Sequence, residues 1–220
     1  MDGFKQSQRK ILYACFLRKL TGLLKVSQLA GYVAEKSNYH HGEQNLYETI
    51  TKMANEFVNS NNIPLLYRDG QFGSRSEGGK DAANARYIRT RLEEITRFIF
   101  PEEDDDLLER VVDDGDIVEP VYYVPIIPMV LVNGSDGIGS GWSSTIPNYN
   151  PLEVVSMVRT WLGNQDYDPK PVNGMVIEIF EPLIPWYRGF KGTIEECGKG
   201  KYISKGIATH TDDGVVVCDS

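Results

Sequence analysis

Three stretches of helical periodicity follow one another within the first 58 residues, with only short turns between them. Over residues 8–20, Ile11, Leu12, Cys15, Phe16 and Leu20 recur at the i, i+3, i+4 interval of a one-faced helix. Val26, Leu29, Ala30 and Val33 repeat the pattern over 25–36. Leu46, Ile50, Met53, Ala54 and Val58 repeat it again over 43–58. The last two helices, joined by a turn, form a helix-turn-helix candidate. In such motifs the second helix enters the major groove of DNA. On spacing alone, an ordinary pair of antiparallel helices is the better reading.

The text then changes character. "IPLLYRDGQFGSRSEGGKDAANARYI" reads as a short strand, a turn at Asp69 and Gly70, and a long polar loop with Gly73, Gly78 and Gly79. After a helix-turn-helix, this is where a β-wing would sit. Thr90 and Glu93 stand at capping-box spacing, which predicts a helix from Arg91. Leu92, Ile95, Phe98 and Ile99 would be its apolar face and Pro101 its stop. Residues 101–120 are acidic and read as a solvated connector at a domain boundary. "VYYVPIIPMVLV" (121–132) is too short to span a membrane and reads as a strand broken by Pro125 and Pro128. Glycines at 134, 137, 139 and 141 make a turn, 151–163 a helix, and "MVIEIF", "KGTIEE", "KYISKG" and "GVVV" strands.

Charge is divided unevenly. The first 100 residues hold 15 Lys/Arg against 10 Asp/Glu, and the rest 8 against 21. A basic first half suits a polyanion, while an acidic second half keeps the chain soluble; two plainly solvated surfaces would give the same count. Lys5, Arg9 and Lys10 gather at the start of the first helix, where the helix dipole favours anions. A bound phosphate or solvent would have to compensate them. The three cysteines are odd in number and far apart, so neither a zinc site nor a disulfide framework is indicated, and a reducing compartment fits. The opening "MDGFKQSQRK" lacks the apolar centre of a signal peptide.

Candidate chemistry narrows quickly. Gly78, Gly79 and Lys80 imitate a phosphate-binding loop, but Ser74 and Asp81 stand where it needs glycine and a hydroxyl residue. "GIGSG" is not a nucleotide fingerprint. His40 and His41 are adjacent, so they point apart, and no neighbouring acid or cysteine completes a metal set. Tyr87 remains. It follows Arg86, with Arg89, Arg91 and Lys80 nearby. A phenol has a pKa near ~10, and guanidiniums ease phenolate formation and fork phosphate. Phenolate also leaves more readily than an alkoxide. A tyrosine that attacks DNA therefore holds the strand covalently and can return it.

These residues lie within strings that strongly resemble the DNA-cleavage region of type IIA DNA topoisomerases of the eukaryotic or large-virus kind. The strings are "DGFKQSQRKILYACF", "KVSQLAGYVAEKSNYHHGE", "GQFGSRSEGGKDAANARYI", "EPVYYVPIIPMVLVNGSDGIGSGWSSTIPN" and "FKGTIEE". The resemblance implies an α+β chain. Residues 1–122 would be a winged-helix domain and 123–220 the first, incomplete part of a β-rich tower domain. Tyr87 matches the nucleophile of a 5′-phosphotyrosyl link and Arg86 the transition-state stabiliser. Lys5 and Tyr39 match DNA-contacting positions, and Arg9, His40, His41 and Lys80 stand in the same strings. Gln44 matches a cleavage-site position, and Ile138 an apolar wedge that bends the gate DNA. Asn84 and Ala85 replace a Ser-Pro frequent in relatives, with little effect expected.

The resemblance further implies an ATP-dependent homodimer acting on double-stranded DNA. Mg²⁺ and ATP would be bound by metal-binding and ATPase domains of the same polypeptide that lie outside these 220 residues. A cellular enzyme would work in the nucleus, a viral one in the host cell or virion. Two other readings stand beside it: a winged-helix DNA-binding module without chemistry, and a structural, partner-binding fragment.

Overall fold

The computed structural model describes residues 1–138, 141, 143–163, 182–210 and 216–219. Helices α1 (Gln6–Leu17), α2 (Val26–Lys36) and α3 (Glu43–Ala54) form at the three periodic stretches. Their stripes meet in one core: Ile11, Leu12, Cys15, Leu29, Ala30, Val33, Leu46 and Ile50 are fully buried. Each buried Leu or Ile contributes roughly 1.5–3 kcal/mol, which offsets the entropy of ordering three short helices. α1 ends before Leu20 because Lys19 turns left-handed at φ 48°. Leu20 nevertheless folds back into the core, with its N–H on the Cys15 carbonyl at 3.0 Å. α3 stops at Ala54 rather than at 58. Asn55 is extended there, and the Asn61 amide donates to the carbonyls of Lys52 and Asn55 at 2.7 and 2.8 Å.

The capping-box expectation fails. Residues 89–92 form β3 (Arg89–Leu92), the middle strand between β1 (Leu24–Lys25) and β2 (Leu66–Asp69). Both neighbours are antiparallel, with Leu24 opposite Thr90 and Leu66 opposite Leu92. A central strand satisfies its backbone on both sides, which a local cap cannot match. Thr90 is buried and its hydroxyl donates to the Tyr67 carbonyl at 2.6 Å. The helix, α4 (Glu94–Ile99), starts after Glu93 and ends before Pro101. Of the expected apolar face, Leu92 and Ile99 are buried, while Ile95 and Phe98 are exposed and Thr96 is buried in their place.

The acidic stretch is more than a connector. It makes a 3₁₀ turn over Glu102–Leu107 and a hairpin of β4 (Arg110–Asp113) and β5 (Asp116–Pro120). Arg97 forks Asp105 at 3.2 and 2.8 Å. β5 packs on α1, where buried Lys10 meets buried Glu119 at 2.9 Å and also donates to the Ser37 carbonyl. Removing one partner of a buried pair strands the other charge. Glu119→Ala should therefore cost about 3–5 kcal/mol in a denaturant titration of the chain, and Glu119→Gln, which keeps an acceptor, should cost less. No loss in Glu119→Ala would mean that Asp113, 3.7 Å from the same ammonium, takes over.

Residues 121–132 do not form the expected strand. Proline cannot donate to a ladder, and Pro128 instead caps a short helix, α5 (Met129–Val132). Tyr123 is buried edge-on between Phe16 and Phe100, with centroids 5.6 Å from each. Next come the hairpin of β6 (Ser135–Ile138) and β7 (Ser143–Ile146), then α6 (Pro151–Gly163). Gly134 enters this hairpin at φ +68°; a Cβ there would lie 2.6 Å from the Ile146 carbonyl oxygen. Buried Asn62 reaches the carbonyls of Val132, Tyr149 and Trp186, each at 3.0 Å, which ties the later segments to the helices. β8 (Thr193–Gly198) pairs with β9 (Lys201–Lys205), and β10 (Ile207–His210) with β11 (Val216–Asp219). "MVIEIF" (175–180) lies outside the described residues. Among those residues, no helix is long and apolar enough to cross a membrane.

Candidate active site

Arg86 and Tyr87 protrude from a loop that is tied down on both sides. Ala85 and Ile88, which flank the pair, are buried. The Ala85 carbonyl accepts from the Ser27 N–H at 3.1 Å and the Ile88 carbonyl from the Val26 N–H at 3.0 Å, both at the start of α2. Between these anchors the chain has no freedom to sink the pair, and Tyr87 is 76% exposed. The Tyr87 N–H closes a turn on the Asn84 carbonyl at 2.8 Å.

The rest of the loop is held by its own polar groups. Asp81, the residue that spoils the phosphate-loop pattern, accepts from the Ser74 N–H at 2.8 Å and the Gln71 amide at 3.2 Å. The Ser74 N–H bond leads in holding its carboxyl below the usual range. Gly73 has φ +99°, and a Cβ on it would lie 2.5 Å from the Gly79 Cα, so glycine is required where the two arms of the loop touch.

Three of the four predicted cations near Tyr87 have other engagements or positions. Arg89 pairs with Asp69 at 2.7 Å, and Arg91 stacks on the Tyr67 ring at 4.4 Å. Lys80 is exposed on the loop, in the wall of a groove of about 710 Å³ that faces Gln44, Tyr47 and Glu48 of α3. Arg86 alone is placed against the tyrosine, with its Cζ 6.0 Å from the Tyr87 ring centroid. Gln44 donates to Glu48 at 3.1 Å and Tyr47 to Glu43 at 2.7 Å. The Glu43 bond raises the Tyr47 pKa, burial adds to that, and the Arg86 charge opposes it, so Arg86 also lies within electrostatic reach of α3.

The turn before α3 carries the next predicted residues. The Tyr39 hydroxyl donates to Asn45 at 2.7 Å, and its ring meets His41 edge-on at 5.4 Å. His40 points away, to the β4–β5 hairpin, with its Nε2 3.4 Å from Asp114 and 3.9 Å from Asp113. Ligand atoms of these three residues lie within 4.8 Å of one another. The two aspartates, more than 70 residues away in sequence, are invisible when the histidines are read alone.

The basic cluster at α1 is mostly neutralised. Arg9 forks Asp2 at 2.9 and 3.2 Å, and Lys10 is the buried partner of Glu119. Burial pushes the Asp2 pKa up, but Arg9 and the N–H groups of Tyr123 and Phe4 outweigh it and hold it down. Lys5 alone of the three is exposed, lining a cavity of about 430 Å³ with Gly134, Ser135 and Asp136 at the root of the β6–β7 hairpin. Ile138 ends β6, opposite Ser143. Cys15 is no rival nucleophile, since burial pushes its thiol to about 12. The residues that sequence reading missed are Asn84, Glu43 and Tyr47. Asn84, two positions before Arg86, had a legible signal as a turn-forming residue.

This fold matches that of a topoisomerase DNA-cleavage domain. The crystal structure of the Plasmodium falciparum topoisomerase II DNA-binding, cleavage and re-ligation domain superposes with a TM-score of 0.86 at 49% identity, covering 97% of this chain and 27% of that one. The family model for the A subunit of DNA gyrase/topoisomerase IV matches residues 1–217, and the chain belongs to that family. Within it, the chain is 52% identical over 212 residues to a probable DNA topoisomerase 2 of Dictyostelium discoideum, covering 94% of this chain and 13% of that protein. It is 47% identical over 216 residues to DNA topoisomerase 2 of Saccharomyces cerevisiae, covering 98% and 14%. The chain thus spans a small part of the length of the relatives it matches.

Proposed function

We propose that this chain is the nucleophile-bearing part of a type IIA DNA topoisomerase, an ATP-dependent homodimer that cuts one duplex, passes another through the break and reseals it. Its strongest support is the exposed Arg86 and Tyr87 held between the buried anchors Ala85 and Ile88. α2 and α3 act as the helix-turn-helix, the β1-β3-β2 sheet and the 70–88 loop as the wing, and residues 1–122 as the winged-helix domain. Residues 123–220 begin the tower. A nuclear location follows for a cellular enzyme, the host cell or virion for a viral one.

The chemistry is a reversible transesterification. The Tyr87 oxygen attacks a backbone phosphorus, the new O–P bond forms, and the bond to the 3′ oxygen breaks. The phenol gives up its proton and the 3′ oxygen gains one. The phosphate stays on the 5′ end as a tyrosyl ester, so the free 3′ hydroxyl can attack it and expel tyrosine with no other energy source. Arg86 presents a guanidinium to the charge that grows on the phosphate oxygens. Lys5, Lys80, Tyr39, His41 and Gln44 contribute backbone and groove contacts. Arg9 stays on buried Asp2 and offers its remaining guanidinium N–H groups to phosphate, and His40, exposed beside Asp114, adds a further contact.

Mg²⁺, when bound in the complete enzyme, would supply positive charge that stabilises the reacting phosphate. Among the described residues no trio of carboxylates stands beside Tyr87; the resemblance assigns the ion's ligands to a metal-binding domain outside these residues. The phosphate-loop-like stretch at 73–81 is closed on itself by Asp81, so it is not proposed as an ATP site. The chain alone, incubated with supercoiled plasmid and Mg²⁺ and then treated with denaturant and protease, should give no linear DNA. Linear product that Tyr87→Phe removes would reveal a self-sufficient site.

Ile138 is the proposed wedge. Unstacking a base step costs a few kcal/mol, which is offset by the extra surface that bent DNA wraps. A wedge needs volume, so Ile138→Ala should reduce bending and impair cleavage while Ile138→Leu is milder. Energy transfer between dyes at the ends of a short duplex reads the bend. An unchanged angle in Ile138→Ala would leave Ile138 as the last residue of β6 only.

A further inference from the structure

Arg86 can meet the scissile phosphate reproducibly only if something aims it. Its side chain is exposed, and a free arginine samples many rotamers, an entropy that must be lost when one is fixed. Asn84 makes three bonds to the Arg86–Tyr87 pair. Its carbonyl oxygen accepts from the Tyr87 N–H at 2.8 Å. Its side-chain Oδ1 accepts from the Arg86 backbone N–H at 3.1 Å and from the Arg86 Nε at 3.3 Å. One residue therefore bonds the backbone of both Arg86 and Tyr87 and also holds the base of the guanidinium.

We propose that Asn84 is a positioning residue for the cleavage reaction, fixing Arg86 so that its terminal Nη edge faces the phosphate attacked by Tyr87. The proposal rests on the topoisomerase reading above. Its chemistry follows from the donor inventory of arginine. Five N–H groups lie in one plane, and engaging Nε with Asn84 leaves the two terminal nitrogens as a fork of the kind that binds phosphate in two parallel bonds. The amide is suited to this task because it is neutral. A carboxylate in its place would hold Nε equally well but would oppose the incoming phosphate and cancel the guanidinium charge. Asn84 also lines the groove between α3 and the loop, as do Lys80 from the loop and Gln44 from α3.

The test uses the complete enzyme with its metal, comparing wild type, Asn84→Ala, Arg86→Ala and the double variant for single-turnover cleavage and for DNA affinity. Asn84→Ala should slow cleavage by about 10–100-fold, the penalty of a slightly misplaced group, with DNA affinity almost unchanged. Added to Arg86→Ala, it should slow cleavage no further, because its effect passes through the guanidinium. Asn84→Gly, which also lacks the acceptor but suits a turn, replaces Asn84→Ala should that variant fold poorly. Wild-type cleavage by the single Asn84 variant, or an equal further slowing on top of Arg86→Ala, would overturn the proposal. Wild-type cleavage by Arg86→Ala would instead overturn the role given to Arg86 itself, so the two failures are distinguishable.

Discussion

Tyr87→Phe in the complete enzyme abolishes DNA cleavage and leaves DNA affinity nearly intact. The substitution removes only the attacking oxygen. The ring, its exposure and the turn closed by the backbone N–H on Asn84 all remain. A surface change of this kind alters stability by no more than about 0.5 kcal/mol, so a lost activity cannot be a lost fold. Denaturant-trapped, end-labelled DNA measures cleavage, and fluorescence anisotropy of a labelled duplex measures affinity. Residual cleavage in Tyr87→Phe would place the nucleophile elsewhere.

Arg86→Ala should lower the single-turnover cleavage rate by about 10²–10³, the usual cost of removing one donor aimed at developing charge. Among the arginines flanking Tyr87, Arg86 is the one with this expectation. Arg89 is paired with Asp69 and Arg91 is stacked on Tyr67, so alanine at either should cost stability or sheet geometry before it costs chemistry. Arg86→Lys should recover little, since an ammonium has charge but no fork. If Arg86→Ala weakens binding while cleavage of bound DNA stays at the wild-type rate, Arg86 is a ground-state phosphate contact only.

The sequence disclosed what is local and periodic. α1, α2 and α3 were readable because each repeats its apolar stripe, and Tyr87 is proposed as the nucleophile because the strings around it are distinctive. What it concealed is pairwise and distant. Thr90 and Glu93 carry a sound local helix signal, but Thr90 pairs with Leu24 of β1 and Leu92 with Leu66 of β2, both far upstream, and the hydrogen bonds of those strands prevail. Arg9 and Lys10 looked like free cations because Asp2 had not been paired with the one, nor Glu119, 109 residues away, with the other. His40 looked unsupported because Asp113 and Asp114 return to it only through the β4–β5 hairpin. Asn84 was the reverse case: its signal was local, but a turn residue gains meaning only when the guanidinium is seen bonded to it.

The reversible phosphotyrosyl break is tested most directly by mapping the covalent adduct. The complete enzyme is mixed with duplex DNA and Mg²⁺, trapped with denaturant, and digested with nuclease and protease for mass spectrometry. The account predicts a nucleotide attached to Tyr87 through its 5′ phosphate and free 3′ hydroxyls on the cut strands. An adduct on any other residue, or cut DNA with a 3′ phosphate and no attached protein, would contradict it.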